Sequence, residues 1–285
     1  MNKKHCWIII AVFLTLFVST PGHCTVDWTP GMILKVDKQP LDTAITPDGK
    51  WTFVLTKGGK ICIYDYAGNL NDTIPVTPDV DQIAVTGSGE KLIVSSKTTQ
   101  IVRQIDITFV ANFKVNGAPI LGSPDSPVEI VLFSDFQCPY CARIGALLEY
   151  AMEQNPETVH VVFKQFPLPF HEFARQAAIA SLAAQNQGKF WELHDLLFQS
   201  GHELNDKKIE DLAKEAGLDM KRFKADIKDD LLNERVEMDI MEGKINGVRG
   251  TPSLFVNGRP LKERSPQDLQ LLIDKELART KNDSK

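Results

Sequence analysis

The sequence predicts a small all-β repeat domain followed by an α/β domain that is interrupted by a helical insertion. Three observations support this prediction. A Cys-x-x-Cys pair follows an apolar run and opens a helical pattern, the later segments read as β-α-β, helices and β-β-α, and the first third of the chain repeats at a shift of 40 residues. Glycines and prolines between residues 116 and 127 place the domain boundary just before them, at about residue 112.

The N-terminus has the order of a secretory signal peptide. Lys3 and Lys4 precede an apolar stretch over residues 7–18, and the breakers at residues 19–22 follow it. A helix that spans a bilayer needs about 20 apolar residues, so the stretch is short for an anchor, although an uncleaved anchor is the alternative. We expect residues 1–24 to be removed on export to the periplasm, where disulfides form and persist.

Composition restricts the class of protein. With 285 residues and 43% hydrophobic content, the chain can bury a core in each of two domains. The net charge of -5 is spread along the chain, which gives no indication of nucleic-acid binding. Five cysteines are few for a disulfide scaffold. Cys6 lies in the predicted signal peptide, and the sequence leaves open whether Cys24 stays in the mature chain and pairs with Cys62.

Residues 25–112 form the predicted β-repeat domain. The repeat aligns positions 34, 44, 46, 49, 54 and 61 with positions 74, 84, 86, 89, 94 and 101. A unit of about 40 residues is the size of a propeller blade, and the region resembles two blades of the YVTN/NHL class. A propeller typically needs about 4 to 8 blades. The domain is therefore expected to form a small sandwich, to pack on the second domain or to build a homodimer; a passive spacer is the alternative.

The pair Cys138-Pro139-Tyr140-Cys141 carries the chemistry of the chain. It stands between the apolar run at residues 128–133 and a helical pattern that begins at Ile144. This position puts the first sulfur at a helix N-terminus, where free N–H groups and the helix dipole favour a thiolate. Zinc needs four ligands, and the sequence has no second Cys-x-x-Cys or His pair to supply them. We predict a redox site without metal or cofactor; a structural disulfide is the alternative.

The segments after the cysteine pair alternate between strand and helix patterns. They are a strand at 158–163, a helical tract at 171–198 with a break at Gly188, helices at 209–216 and 220–242, a strand at 253–257, an Asn257-Gly258 turn with a returning strand at Leu261, and a last helix from Ser265. This order predicts a split α/β arrangement.

Three ordered motifs, at residues 133–141, 188–194 and 248–258, carry a family resemblance. On these motifs residues 119–280 resemble the DsbA family of thiol:disulfide oxidoreductases. The resemblance implies a thioredoxin fold over residues 113–285, with a helical insertion at about 168–245. It also implies that Pro252 follows a cis peptide bond and lies beside the cysteine pair.

The same resemblance gives roles to the site residues. Cys138 is expected to be the exposed sulfur that forms a mixed disulfide with a substrate, and Cys141 the sulfur that resolves it. Pro139 and Tyr140 are expected to tune the pair. Thr251 is expected to offer its backbone to an extended substrate segment.

One departure from the family concerns proton transfer. Many relatives carry a buried acid six residues before the first cysteine, where this chain has Leu132. Asp135 is nearer, and it is either a supporting residue or a turn residue that caps the strand-to-helix junction. His160, His171 and His194 are expected to be structural or surface residues. Proton transfer is then expected to rely on water.

The sequence therefore predicts a periplasmic disulfide oxidoreductase that acts chiefly as a dithiol oxidant of reduced exported polypeptides. The resemblance implies a membrane redox partner of the DsbB or vitamin-K-epoxide-reductase type. An isomerase or reductase whose β-repeat domain mediates dimerisation is the alternative. A non-catalytic binding module is a third class, and the intact Cys138 and Cys141 argue against it.

Overall fold

The computed structural model describes Asp27 and residues 29–283, so the predicted signal peptide lies outside the described residues. The chain divides into two compact units between Ile107 and Thr108. This division falls before the predicted boundary at residue 112, because the Ala111 N–H donates to the Gly258 carbonyl at 2.9 Å and so belongs to the second unit. None of the described helices is both long and apolar enough to cross a membrane.

The first unit consists of two antiparallel sheets. The first sheet has the strand order β1-β2-β3-β4, with β1 (Pro40–Ile45), β2 (Trp51–Thr56), β3 (Lys60–Asp65) and β4 (Leu70–Pro75). The second has the order β5-β6-β7, with β5 (Gln82–Val85), β6 (Lys91–Ser96) and β7 (Ile101–Asp106). Cys62 lies on β3, where Val54 and Tyr64 bury it together with Leu34 and Val36.

The 40-residue repeat is visible in the turns that join these strands. The Gly49 N–H donates to Thr46 O at 2.8 Å, and the Gly89 N–H donates to Thr86 O at 2.9 Å. Both glycines have a positive φ, +71° and +76°, which side chains with a Cβ rarely adopt. The first sheet has four strands and the second has three, and the resemblance to propeller blades is not confirmed. The described residues show no propeller closure.

The second unit is a five-stranded mixed sheet with helices inserted between its strands. In chain order its elements are β8 (Ile120–Leu121), β9 (Val128–Ser134), α1 (Pro139–Gln154), β10 (Val159–Gln165), α2 (Ala174–Gln185), α3 (Phe190–Gln199), α4 (Asp206–Glu215), α5 (Met220–Asp226), α6 (Asp230–Ile245), β11 (Ser253–Val256), β12 (Arg259–Pro260) and α7 (Pro266–Asp283). The strand order is β12-β11-β9-β10-β8, and only the β9–β10 pair is parallel.

The helical insertion follows the predicted pattern with one difference. The tract at 171–198 breaks at Gly188, which has a φ of +70°. The single helix predicted at 220–242 is wrong, because it is two helices, α5 and α6. The Asp229 carboxylate accepts the Leu231 N–H at 3.0 Å and so caps a new helix where the pattern was expected to continue.

The central strand β9 separates two cores, and this separation positions the site. Successive side chains of a strand point to opposite faces of the sheet. Ile130 and Leu132 pack in the core that includes α1, whereas Val131 and Phe133 pack in an aromatic core on the other face. Ser134 therefore continues the face that packs against α1.

Candidate active site

The cysteine pair lies where β9 passes into α1. Cys138 is the N-cap residue of α1, with extended backbone angles, and Pro139 is the first helical residue, a position that proline favours. The Cys141 N–H donates to Cys138 O at 3.0 Å, which closes the first turn. No side chain of the described residues caps α1, so its first N–H groups and the positive end of its dipole are available to the Cys138 sulfur.

Cys138 and Cys141 are not joined by a disulfide in the structure, and both are buried. The exposed fractions are 4% for Cys138 and 2% for Cys141, so the expectation of an exposed Cys138 is wrong. The reason is the loop before β11, where the thiol of Cys138 donates to the Thr251 carbonyl at 3.5 Å. The Thr251–Pro252 peptide bond is cis. Pro139 and Tyr140 are exposed, Tyr140 by 62%, so the two residues between the cysteines face solvent while both cysteines are buried.

The environment of Cys141 disfavours its thiolate. Burial raises the pKa of the Cys141 thiol to about 12, and the Cys138 charge acts in the same direction. The hydroxyls of Ser134 and Thr251 and the backbone N–H of Asp135 favour the thiolate and offset part of this effect. At neutral pH the dithiol form therefore keeps its proton on Cys141.

This pKa predicts a pH dependence of stability that can be measured. The unfolded thiol ionises near pH ~8.5, so above that pH the unfolded state loses a proton that the folded state keeps. The free energy of unfolding of the reduced protein should fall by about 1.4 kcal/mol per pH unit over this range, and by about 2 kcal/mol at pH 10. Urea unfolding under reducing conditions should show this loss relative to Cys141→Ala. Parallel pH profiles of the two proteins would contradict the buried Cys141.

Asp135 is fully engaged in holding the turn before the cysteines. Its carboxylate accepts the N–H groups of Gln137 and Leu168, both at 2.7 Å, and contacts His171 Nδ1 at 2.8 Å. These contacts join the β9–α1 turn to the loop between β10 and α2. The structure therefore gives Asp135 the turn-capping role. The His171 contact was missed because 36 residues separate the two side chains and no local pattern links them.

The other two histidines lie away from the sulfurs. His160 Nε2 is 3.5 Å from a Glu129 carboxylate oxygen, at the other end of the β9–β10 pair. The ring of His194 packs in an aromatic cluster with Phe136 and Phe163, and its Nδ1 is 2.8 Å from Asp195 Oδ1. Both histidines have structural contacts, and His160 is buried.

A buried ion cluster supports the opposite face of the sheet. Lys164 Nζ donates to Asp239 at 2.9 Å, to the Lys114 carbonyl at 2.6 Å, and lies 3.0 Å from Glu242. Burial lowers the pKa of Lys164, but the two carboxylates outweigh it and leave that pKa raised. The sequence carried a signal for this cluster, since a lysine interrupts the apolar run of β10. In the described residues no group of His, Cys, Asp and Glu could hold a metal ion.

Two neighbouring thiols at a helix start can exchange one disulfide for another, because the pair stores two electrons as thiols and releases them on forming a bond. This chemistry on this sheet defines an oxidoreductase of the thioredoxin-like class, and the predicted thioredoxin-like α/β fold is confirmed by comparison with known proteins. The family model described as thioredoxin matches residues 114–275, and the chain belongs to that family.

Solved structures support the fold of the second unit. A thioredoxin-like oxidoreductase from Silicibacter pomeroyi DSS-3 superposes with a TM-score of 0.52 at 28% identity, over 57% of this chain and 93% of that one. Oxidised BdbD from Bacillus subtilis superposes with a TM-score of 0.52 at 24% identity, over 60% of this chain and 98% of that one, and shows the fold alone.

Curated relatives contain a similar segment within longer chains. The Na(+)/H(+) antiporter NhaA 3 of Salinispora tropica is 34% identical over 155 residues, which are 54% of this chain and 23% of that protein. The antiporter NhaA of Herminiimonas arsenicoxydans is 36% identical over 143 residues, 50% of this chain and 23% of that protein. The chain thus spans about a quarter of the length of these relatives.

Proposed function

We propose that the protein is a periplasmic thiol:disulfide oxidoreductase that forms disulfides in exported polypeptides through Cys138 and Cys141. The observation that carries this proposal is the position of the Cys138 sulfur. It lies at the uncapped N-terminus of α1 and contacts the Thr251 carbonyl, with Cys141 one turn behind it. A helix N-terminus stabilises the thiolate that must leave or attack in each exchange step.

The reaction begins from the Cys138–Cys141 disulfide. A substrate thiolate attacks the Cys138 sulfur, the Cys138–Cys141 bond breaks, and Cys141 leaves as a thiolate that takes a proton. A second substrate thiolate attacks the substrate sulfur of the mixed disulfide, and Cys138 leaves. The substrate has lost two electrons and the protein holds two thiols, which a membrane redox partner of the DsbB or vitamin-K-epoxide-reductase type must reoxidise.

The surrounding residues serve positioning and substrate contact in this proposal. Thr251 and Pro252 form the wall against which the Cys138 sulfur lies, and the Thr251 backbone is offered to an extended substrate segment, as in strand addition. Pro139 and Tyr140 separate the two sulfurs, and the exposed Tyr140 ring lies beside the path of an approaching polypeptide. Asp135 holds the turn that presents the cysteines.

The proposed location depends on the N-terminal sequence. The order of Lys3, Lys4, an apolar stretch and small breakers is that of a cleaved export signal. An oxidising compartment is also where a dithiol oxidant can be kept in its disulfide form.

One observation favours a second candidate function, disulfide isomerisation or reduction by a dimer. Strand β7 ends the three-stranded sheet and exposes Ile101 and Val102, by 50% and 71%. An exposed apolar edge strand can pair with a second copy of itself. A dimer that joins two dithiol sites suits isomerisation, because one site can reform a disulfide near the one it opened.

The reduction potential of the pair separates the two functions. We expect a value near that of a strong oxidant, about -120 mV, because the positive end of the α1 dipole favours the reduced pair over the neutral disulfide. Equilibration of the intact mature protein with glutathione buffers, read by mass after alkylation, gives this value. A potential near about -270 mV would contradict the oxidant. Such a value together with a dimeric mass would establish the second candidate.

A further inference from the structure

The hydroxyls of Ser134 and Thr251 interact with Cys141 and make no other hydrogen bond among the described residues. Ser134 is completely buried at the end of β9, and its Oγ makes no hydrogen bond elsewhere in the described part of the chain. Thr251 Oγ1 is likewise buried without another partner. Buried polar atoms in proteins nearly always have a partner, so a hydroxyl without one points to a role that the static dithiol form does not show.

The geometry of the sheet directs Ser134 toward Cys141. Ser134 follows Ile130 and Leu132 on the face of β9 that packs against α1, and Cys141 is a buried residue of α1. Thr251 approaches from the loop before β11, and its carbonyl already contacts the neighbouring Cys138 sulfur at 3.5 Å. The Ser134 and Thr251 hydroxyls, which come from two different elements, both interact with Cys141.

The charged side chains of Asp135 and Lys164 have partners other than Cys141. Leu132, the preceding residue on this face, is apolar, and the Asp135 carboxylate is held by His171 and two backbone N–H groups. Lys164 pairs with Asp239 beyond the opposite face of the sheet, since it lies in register with Phe133 of the aromatic core. Cys138 is the ionisable neighbour whose charge acts on Cys141. The side-chain groups that favour a charge on the Cys141 sulfur are therefore two neutral hydroxyls, beside the backbone N–H of Asp135.

We propose that the Ser134 hydroxyl, with the Thr251 hydroxyl beside it, donates a hydrogen bond to the Cys141 thiolate and so stabilises it in each exchange step. This inference rests on the proposed function, since it concerns the same pair of thiols. A hydrogen bond to a charged group is worth more than one between neutral groups, and a buried thiolate has no water to replace it. Ser134 and Thr251 then make Cys141 usable despite its burial.

The attack of Cys141 on the mixed disulfide can be measured separately with an aromatic disulfide as the probe. The probe releases a coloured thiolate in each of two steps. The Cys138 thiolate of the reduced protein attacks the probe, which forms a mixed disulfide and releases one aromatic thiolate. Cys141 then loses its proton to water and attacks the Cys138 sulfur, the bond from Cys138 to the probe breaks, and the second aromatic thiolate leaves. The two protein thiols are oxidised to one disulfide and the probe is reduced to two thiolates.

Ser134→Ala should slow the second release by about ten- to a hundredfold and leave the first release unchanged, because only the second step needs the Cys141 thiolate. The midpoint of the second release in a pH profile should also move to higher pH. Thr251→Val should slow the second release, whereas Thr251→Ser, which keeps the hydroxyl, should not. Stopped-flow absorbance on the full mature chain measures both phases, and mass spectrometry identifies the product disulfide.

Ser126→Ala is the matched control, since Ser126 is a buried serine before the other end of β9, with its hydroxyl bonded to the Glu157 carbonyl. It should alter stability without changing the ratio of the two phases. An unchanged second phase in Ser134→Ala, or an equal slowing of both phases, would overturn the inference. Absence of the first phase in the unmodified protein would instead contradict the proposed function.

Discussion

Replacement of Cys138 by serine should reduce thiol–disulfide exchange to the rate measured without protein, whereas replacement of Cys141 by serine should stop the reaction halfway. The asymmetry follows from position, because Cys138 is at the helix N-terminus and Cys141 is behind it. A serine hydroxyl at position 138 cannot act as a thiolate nucleophile at neutral pH. With serine at 141, Cys138 still attacks, but nothing within the pair resolves the mixed disulfide.

The measurement is the mass of each variant after incubation with a peptide disulfide. Cys141→Ser should carry the peptide as a stable mixed disulfide, and Cys138→Ser should carry none. Cys62→Ala is the control, since this buried thiol lies in the first unit and its loss should leave exchange unchanged. Equal trapping by the two single variants of the pair would contradict the assigned roles.

Replacement of Lys164 by methionine should lower the free energy of unfolding by about 3–5 kcal/mol. The side chain is 6% exposed, and its ammonium group is the partner of the Asp239 and Glu242 carboxylates and of the Lys114 carbonyl. Methionine keeps much of the volume but leaves two largely buried acids without a cation. Breaking a buried ion pair lowers the free energy of unfolding by more than the loss of one contact would, because the remaining charge stays desolvated.

Urea unfolding at neutral pH measures this loss, with Lys207→Met as the control. Lys207 pairs with Asp211 on the surface of α4, where the lysine side chain is 87% exposed, so its replacement should change stability by about 0.5 kcal/mol or less. Adding Asp239→Asn to Lys164→Met should recover part of the loss. Because the Lys164 pKa is raised, its contribution should be fully present below the unfolded pKa of about 10.4 and be lost as the pH rises through the higher folded pKa. Similar losses in the two lysine variants would contradict the buried cluster.

Local sequence patterns were sufficient to predict most of the second unit. The apolar run before the cysteines, the break at Gly188 and the proline after Ser265 all lie where the chain changes element, because each acts within a few residues. The division between α5 and α6 escaped prediction for the opposite reason. Apolar spacing continues across residues 227–229, but α5 ends at Asp226 and the Asp229 side chain caps the start of α6.

The candidate site shows the same limit. The sequence predicted the cysteine pair and its place at a helix start, since strand, pair and helix are contiguous. It did not predict that Cys138 is buried, because the loop that covers the sulfur carries Thr251, 113 residues further along the chain. The contact of His171 with Asp135 and the unpartnered Ser134 hydroxyl were missed for the same reason, since each depends on segments brought together only by folding.

The burial of Cys62 has a consequence for selectivity. A thiol:disulfide oxidoreductase can also react with its own cysteines. Any accessible third thiol would compete with Cys141 in attacking the mixed disulfide on Cys138. Cys62 is 1% exposed and packed between apolar neighbours and Tyr64, so its sulfur is shielded from an incoming disulfide. The packing of β3 thereby prevents the Cys62 sulfur from taking part in the exchange reaction.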